Sequence, residues 1–270
     1  MKKKIGVVDL FCGIGGLSHG MYQNGFEILA GYDIDSTCQH AFEENNYSKF
    51  YSKDIKEVNG NTILSHFKPN QIRVIAGCAP CQPFSSYSFK IKDKDQSKYD
   101  LLYEFGRIVK ESLPDIVTME NVAQILSFKQ KPVLADFENT LKKLGYHVSI
   151  SKVFCPDYGI PQNRTRIVLL ASKFGEIELI PKTHDKNSYI TVKDAIGHLP
   201  KLEAGEIDQK DKFHQSRKLS ALNLKRIRAT PEGGSWKDRP DELLLDCHKK
   251  DSGKSYGSVY DYFMCGFRKR

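Results

Sequence analysis

The 270-residue chain has no long apolar run, no second cysteine pair at metal-ligand spacing, no internal repeat and no low-complexity tract. Without about 20 consecutive apolar residues, a membrane-spanning helix is not expected. The start, Met1-Lys-Lys-Lys-Ile5, is basic but leads straight into a short apolar run with no small-residue cleavage site, so a secretory leader is not expected either and the cytoplasm is the predicted compartment. The seven cysteines, at 12, 38, 78, 81, 155, 247 and 265, are odd in number and scattered, which does not look like a disulfide framework and fits a reducing compartment better. Only Cys78 and Cys81 stand at CxxC spacing, and with no second such pair no metal site is assigned.

What is present is ordinary in bulk and uneven in distribution. Hydrophobic residues make up 40% and charged residues 27%, within the range of globular chains, and the length allows one large domain with a smaller appendage. The formal net charge is +8, which favours a polyanionic partner. Residues 173–270 hold 20 Lys/Arg against 15 Asp/Glu, a net +5, and leave +3 to the first 172. From Lys212 to Pro231 there are six basic residues and no acid, a composition read as a phosphate-contacting surface.

The hydrophobic pattern predicts strands over 4–10, 26–33, 71–77, 115–120, 146–154 and 166–171, each short, apolar and rich in β-branched residues. Helices are predicted over 17–23, 36–45, 98–112 and 130–144; in the third, Leu101, Leu102, Phe105, Ile108 and Val109 fall on one face. Strands alternating with helices imply a parallel α/β sheet with crossover connections, which binds ligands at the carboxyl ends of its strands. After Ser172 the alternation stops and no clear period remains. The expected division is therefore a first domain over 1–172 and a second, partly irregular region over 173–270.

Four motifs fall at predicted strand ends. The first is Asp9-Leu-Phe11-Cys12-Gly13-Ile-Gly15-Gly16-Leu17, a glycine turn between a strand and a helix, followed by Asp33 at the end of the next strand. Glycines there let backbone approach a ligand, and the acid can accept bonds from ribose hydroxyls, so the pattern points to a nucleoside-containing cofactor. Ser18 stands where a dinucleotide GxGxxG motif has its third glycine. The second motif is Gly77-Cys78-Ala-Pro80-Cys81-Gln82-Pro-Phe-Ser85. A thiol there can be a buried structural group, half of a redox pair or a nucleophile. The third, Glu120-Asn121-Val122, offers a carboxyl among apolar neighbours that could relay a proton or cap a helix. The fourth, Gln162-Asn-Arg164-Thr-Arg166, puts two arginines at i and i+2 before a strand, where they can fork onto phosphate or a base oxygen.

In that order, DLFCGIGGLS, GCAPCQPFS, ENV and QNRTR resemble the signature blocks of cytosine-5 DNA methyltransferases, almost continuously over residues 4–172. Residues 223–236 resemble the lead into that family's target-recognition region. The resemblance implies a Rossmann-like sheet with helices on both faces and a smaller, partial recognition region. It implies S-adenosyl-L-methionine as cofactor, S-adenosyl-L-homocysteine as product and double-stranded DNA as partner. Asp9, Phe11, Cys12, Gly13, Gly15, Gly16, Leu17 and Pro80 would then line the cofactor pocket, with Asp33 on the ribose, Ile34 against the adenine and Asp54-Ile55 at its amino edge. Cys81 would be the nucleophile, Glu120 would hold the N3/N4 edge of a flipped cytosine, Arg166 its O2 side, and Arg164 would support the loop or the phosphates. DNA contacts would come from Gln82, Ser85, Ser88, Lys90, Arg226 and Arg228, within a closing loop over 82–98 and the basic run.

The family's closing Asn-Val-Pro-type block is missing from these 270 residues. The expectation is a truncated gene, a frameshifted tail or one half of a split enzyme served by a second polypeptide. Three other functions are open: a tRNA methyltransferase with the same cysteine chemistry, a catalytically dead nucleic-acid-binding protein, and a dithiol oxidoreductase using Cys78 and Cys81.

Overall fold

The computed structural model describes residues 3–80, 100–127, 132–231 and 234–246. Cys81, Gln82, Ser85, Ser88 and Lys90 lie outside the described residues, as does the rest of the predicted loop 82–98. The chain divides into two compact units: Met1–Cys155 with Asn163–Thr183, and Pro156–Gln162 with His184–Arg270.

The first unit is built on a seven-stranded sheet of β1 (Ile5–Leu10), β2 (Glu27–Asp33), β3 (Lys49–Ser52), β4 (Ile72–Gly77), β5 (Ile116–Val122), β6 (His147–Phe154) and β7 (Thr165–Ser172), in the order β3-β2-β1-β4-β5-β7-β6. The strand order reverses beside β1, between β1 and β4, and such a switch point opens a crevice at the carboxyl ends of the strands. β1 is buried on both faces, with Val7, Val8 and Leu10 fully covered, as its unbroken apolar run requires.

Helices cover both faces. On one side α1 (Gly16–Gln23) and α2 (Gln39–Asn46) contribute Leu17, Met21 and Phe42 to a core with Val7, Ile28, Phe50 and Val74. On the other, α3 (Gly60–Leu64), α4 (Asp100–Ser112) and α5 (Val133–Lys143) pack against Val8, Leu10, Ile75, Val117 and Met119. The predicted apolar face of α4 is the packed one: Leu102, Phe105, Ile108 and Val109 are buried and Leu101 packs against them.

The sheet departs from the all-parallel expectation in one strand. β7 runs antiparallel to both β5 and β6. A parallel step needs a crossover helix, and between Phe154 and Thr165 the chain makes only the 3-10 turn Cys155–Tyr158 and short loops, so it returns antiparallel. The QNRTR motif therefore enters β7 at its amino end, yet that end lies beside the carboxyl end of β5, with Arg166 opposite Val122.

In the second unit, α6 (Val192–Ile196) and α7 (Ala221–Ala229) are helices that the pattern after Ser172 did not disclose. α7 buries no residue and has no clear apolar face to read. It is started by Ser220, whose hydroxyl accepts the Asn223 N–H. Among the described residues no helix is long and apolar enough to cross a membrane.

Candidate active site at the strand ends

The glycine turn after β1 is held by an acid from the neighbouring strand. Asp33, at the end of β2, accepts the Gly13 N–H at 2.9 Å on one oxygen and the Asp35 N–H at 3.0 Å on the other. A carboxylate has about four acceptor positions, so both oxygens keep capacity for a ligand's hydroxyls. Gly13 and Gly16 face open space where a side chain would begin, and Ile34, next to Asp33, is 70% exposed. These are the features a nucleoside-bearing group needs: backbone it can approach, an acceptor for its sugar and an apolar surface for its base.

Gly15 is required for a different reason. It lies at φ +86°, and a Cβ there would collide with the Asn46 amide and come within 2.8 Å of the Phe42 ring. Gly15→Ala is expected to lower stability by about 2 kcal/mol, from left-handed strain and overpacking together. A denaturant titration with an unchanged midpoint would refute this.

Asp9 is enclosed at the same edge, only 1% exposed. Burial pushes its carboxyl up to about 6, against the lowering effect of Ser18 and with a further push from Asp33. Ser18 donates its hydroxyl to Asp9 at 2.6 Å. That contact explains the serine where a dinucleotide motif carries glycine, and the nine-residue spacing across the glycine turn is the only sequence signal for it.

Two strands bring the catalytic candidates together. Arg166 Nε lies 2.8 Å from Glu120 Oε1, and Arg166 Nη1 donates to the Thr165 carbonyl at 2.8 Å. Glu120 lies two residues before Val122, the partner of Arg166, so the pair shares one face of the sheet on a cross-strand diagonal. The apolar surroundings predicted for Glu120 are thus replaced on one side by a cation: Val117 and Met119 alternate onto the other face. Arg164 precedes β7, is exposed, and its carbonyl accepts the Cys155 N–H at 2.9 Å. Only one of the two arginines therefore meets Glu120 directly.

Asn121, buried beside Glu120, donates to the Ala79 carbonyl at 3.2 Å and accepts the Val122 N–H at 2.9 Å. It ties the end of β5 to the segment after β4, two residues ahead of Cys81. Within that segment, burial pushes the Cys78 thiol up, helped by the charges of Asp9 and Glu120. A thiol held protonated is a poor attacking group, which weighs against a Cys78 redox role. Cys12 is raised likewise, by burial, Asp9 and Asp33.

Other expected contacts fall elsewhere. The Ile55 side chain is buried in the core, so only its backbone and the adjoining Asp54 can face a ligand. In the second unit, Arg226 donates from Nε to the Leu243 carbonyl at 2.9 Å and from Nη1 to Asn223 at 3.0 Å, so part of its guanidinium braces α7. Arg228 is exposed, 3.7 Å from Glu203, an arrangement loose enough to exchange for a phosphate.

The strand order, with its antiparallel seventh strand, is that of a Rossmann-like methyltransferase sheet. Comparison with known proteins narrows this: the chain belongs to the C-5 cytosine-specific DNA methylases, matching that family over residues 5–266. It is 48% identical over 254 residues to the Type II methylase M.HgiDII of Herpetosiphon aurantiacus, covering 94% of this chain and 71% of that one. It is 30% identical to the Type II methyltransferase M.HhaI of Haemophilus parahaemolyticus, covering 82% of this chain and 65% of the other. Among solved structures, a protein described as a DNA modification methyltransferase encoded within an E. coli prophage superposes with a TM-score of 0.63 at 26% identity, over 87% of this chain and 67% of that one. The S. pombe Dnmt2 methyltransferase shares the fold at 15% identity, with a TM-score of 0.58 over 98% and 93% of the two chains.

Proposed function

We propose that this chain transfers a methyl group from S-adenosyl-L-methionine to C5 of a cytosine flipped out of duplex DNA, as the modification enzyme of a restriction-modification system. The observation that supports this most is the Glu120–Arg166 pair at 2.8 Å, on the strand whose Asn121 anchors the segment leading to Cys81.

C5 of cytosine is too weak a nucleophile to take a methyl group unaided. In the proposed reaction the Cys81 thiolate bonds to C6, and the ring's π electrons move toward N3. Glu120 would accept from the exocyclic amine and supply a proton or hydrogen bond at N3. Arg166 holds that carboxyl in one orientation and offers its remaining donors to the O2 side. The cofactor's sulfonium supplies the methyl group. Loss of the C5 proton to solvent then re-forms the C5–C6 double bond, breaks the C6–S bond and returns the thiolate, and a proton taken up at N3 goes back to Glu120. A stacked base exposes neither carbon to such an approach, so the reaction needs it outside the helix. Phe11, Gly13, Leu17, Asp33 and Ile34 would hold the cofactor, and the basic surface of residues 212–231 would carry the phosphates.

The test is incubation of the purified chain with methyl-labelled S-adenosylmethionine and, in separate reactions, unmethylated duplex DNA or tRNA, followed by digestion to nucleosides. Label is expected in 5-methyldeoxycytidine. Label in an N-methylated nucleoside, or in tRNA and not in DNA, would replace the proposal.

A further inference from the structure

The connection between β3 and α3 contains Asp54, the carboxylate assigned above to the adenine of the cofactor, and it is gripped by one helix. Arg107 of α4 donates from Nη2 to two main-chain carbonyls of this connection, Ile55 at 3.1 Å and Val58 at 2.9 Å. Its other nitrogens are fixed by Glu104 at 2.7 Å and Glu111 at 2.9 Å, one turn away on either side. Glu111 then reaches past the arginine and accepts the Gly60 N–H at 2.7 Å with its second oxygen. Both ends of the 55–60 segment are thus held from a single face of α4.

The apolar side of the segment is already secured, since Ile55 and Val58 are buried. What the guanidinium adds is the direction of two carbonyls, and with the first of them the plane of the Ile55–Lys56 peptide. Asp54 itself caps the turn by accepting the Lys56 N–H at 3.0 Å, which sets its carboxylate while leaving it further acceptor capacity. The ion pairs are about one-third exposed, and such pairs add little to global stability. Their geometry is better suited to orienting a loop than to holding up the fold. A lysine, as a point donor, cannot span two carbonyls and two carboxylates at once.

We propose that Arg107 and Glu111 are positioning residues for the cofactor: they hold residues 54–60 in the conformation in which Asp54 meets the adenine. This rests on the cofactor reading given above. Neither residue touches the reacting atoms, so binding should change and chemistry should not. In Arg107→Met the loop must be ordered at the moment of binding, and the Kd for S-adenosylhomocysteine is expected to rise about tenfold. Arg107→Lys should recover part of that loss, and Glu111→Gln, which keeps an acceptor for Gly60, should cost about threefold. At saturating cofactor kcat should stay within about twofold of the parent, and amide exchange should quicken at 55–60 and not in the sheet.

Titration calorimetry with S-adenosylhomocysteine, beside thermal melts of each variant, decides the matter. Equal Kd values for folded parent and folded Arg107→Met, or a loss confined to kcat, would overturn the proposal. If Arg107→Met does not fold, Arg107→Lys and Glu111→Gln carry the same comparison, and unchanged Kd values in both overturn it equally. A parent protein that binds no S-adenosylhomocysteine would instead overturn the cofactor reading on which the clamp depends.

Discussion

Cys81→Ser is expected to end 5-methylcytosine formation, and Glu120→Gln to slow it by about 10²–10⁴-fold. A serine hydroxyl has no thiolate to offer at neutral pH, so addition at C6 stops before the methyl group is engaged. Glutamine keeps the shape of Glu120 and can still hydrogen-bond, but it cannot deliver a proton as charge builds at N3. It also leaves Arg166, now 2.8 Å from its carboxylate partner, facing a neutral amide. Single-turnover rates at saturating cofactor isolate this step, and exchange of tritium from C5 of cytosine reports addition without transfer. Both signals should fall together in each variant. Full exchange in Cys81→Ser would remove the cysteine from the mechanism, and a Glu120→Gln rate near the parent's would remove the proton role.

The second large effect is on stability. Asp9→Asn should be less harmful at pH 8 than at pH 4 by on the order of 3 kcal/mol. The carboxyl is pushed by burial from 3.8 to about 6, so between those values the folded protein binds a proton that the unfolded chain has released. Asp9 therefore costs nothing below pH 4, and its burden grows as pH rises through 6. Asparagine carries no charge at any pH and can still accept the Ser18 hydroxyl, though its amide nitrogen occupies a place where Asp9 Oδ1 is buried without a hydrogen-bond partner. That fixed penalty shifts the whole curve and not its slope. Other carboxylates, such as Glu27 beside Lys68, are lowered and act in the opposite sense, but they are common to both proteins. Denaturation midpoints measured from pH 4 to 8 without cofactor give the difference directly. A difference independent of pH would show that Asp9 does not titrate in this range.

Much of the sheet was legible because its central strands are buried on both faces and so read as short unbroken apolar runs. β3 was not: in Lys49–Ser52 only Phe50 is fully buried, and four residues at a sheet edge carry no period. The reversal of β7 was hidden for another reason. Direction is set by the length and content of a connection, and the same apolar run serves either sense. At the site, the glycine turn and Asp33 could be paired in advance because both stand at the ends of adjacent strands, and the Gly13 N–H does meet Asp33. Arg107 and Glu111 could not, since their partners are backbone atoms some 50 residues away and backbone leaves no trace in a residue pattern. Ile55 and Arg226 show the converse: a residue at a motif position, or within a basic run, can be absorbed by the packing of its own unit.

The reversal of β7 also determines how insertions would be felt. Glu120 and Arg166 meet because of a hydrogen-bonded register between adjacent strands. One residue added between Arg166 and Ser172 would turn the guanidinium to the opposite side of the sheet, whereas one added before Thr165 would be taken up in the loop. The spacing of the pair is thus guarded by the sheet itself, and the tolerance of this edge to change in length should drop abruptly at a single peptide bond.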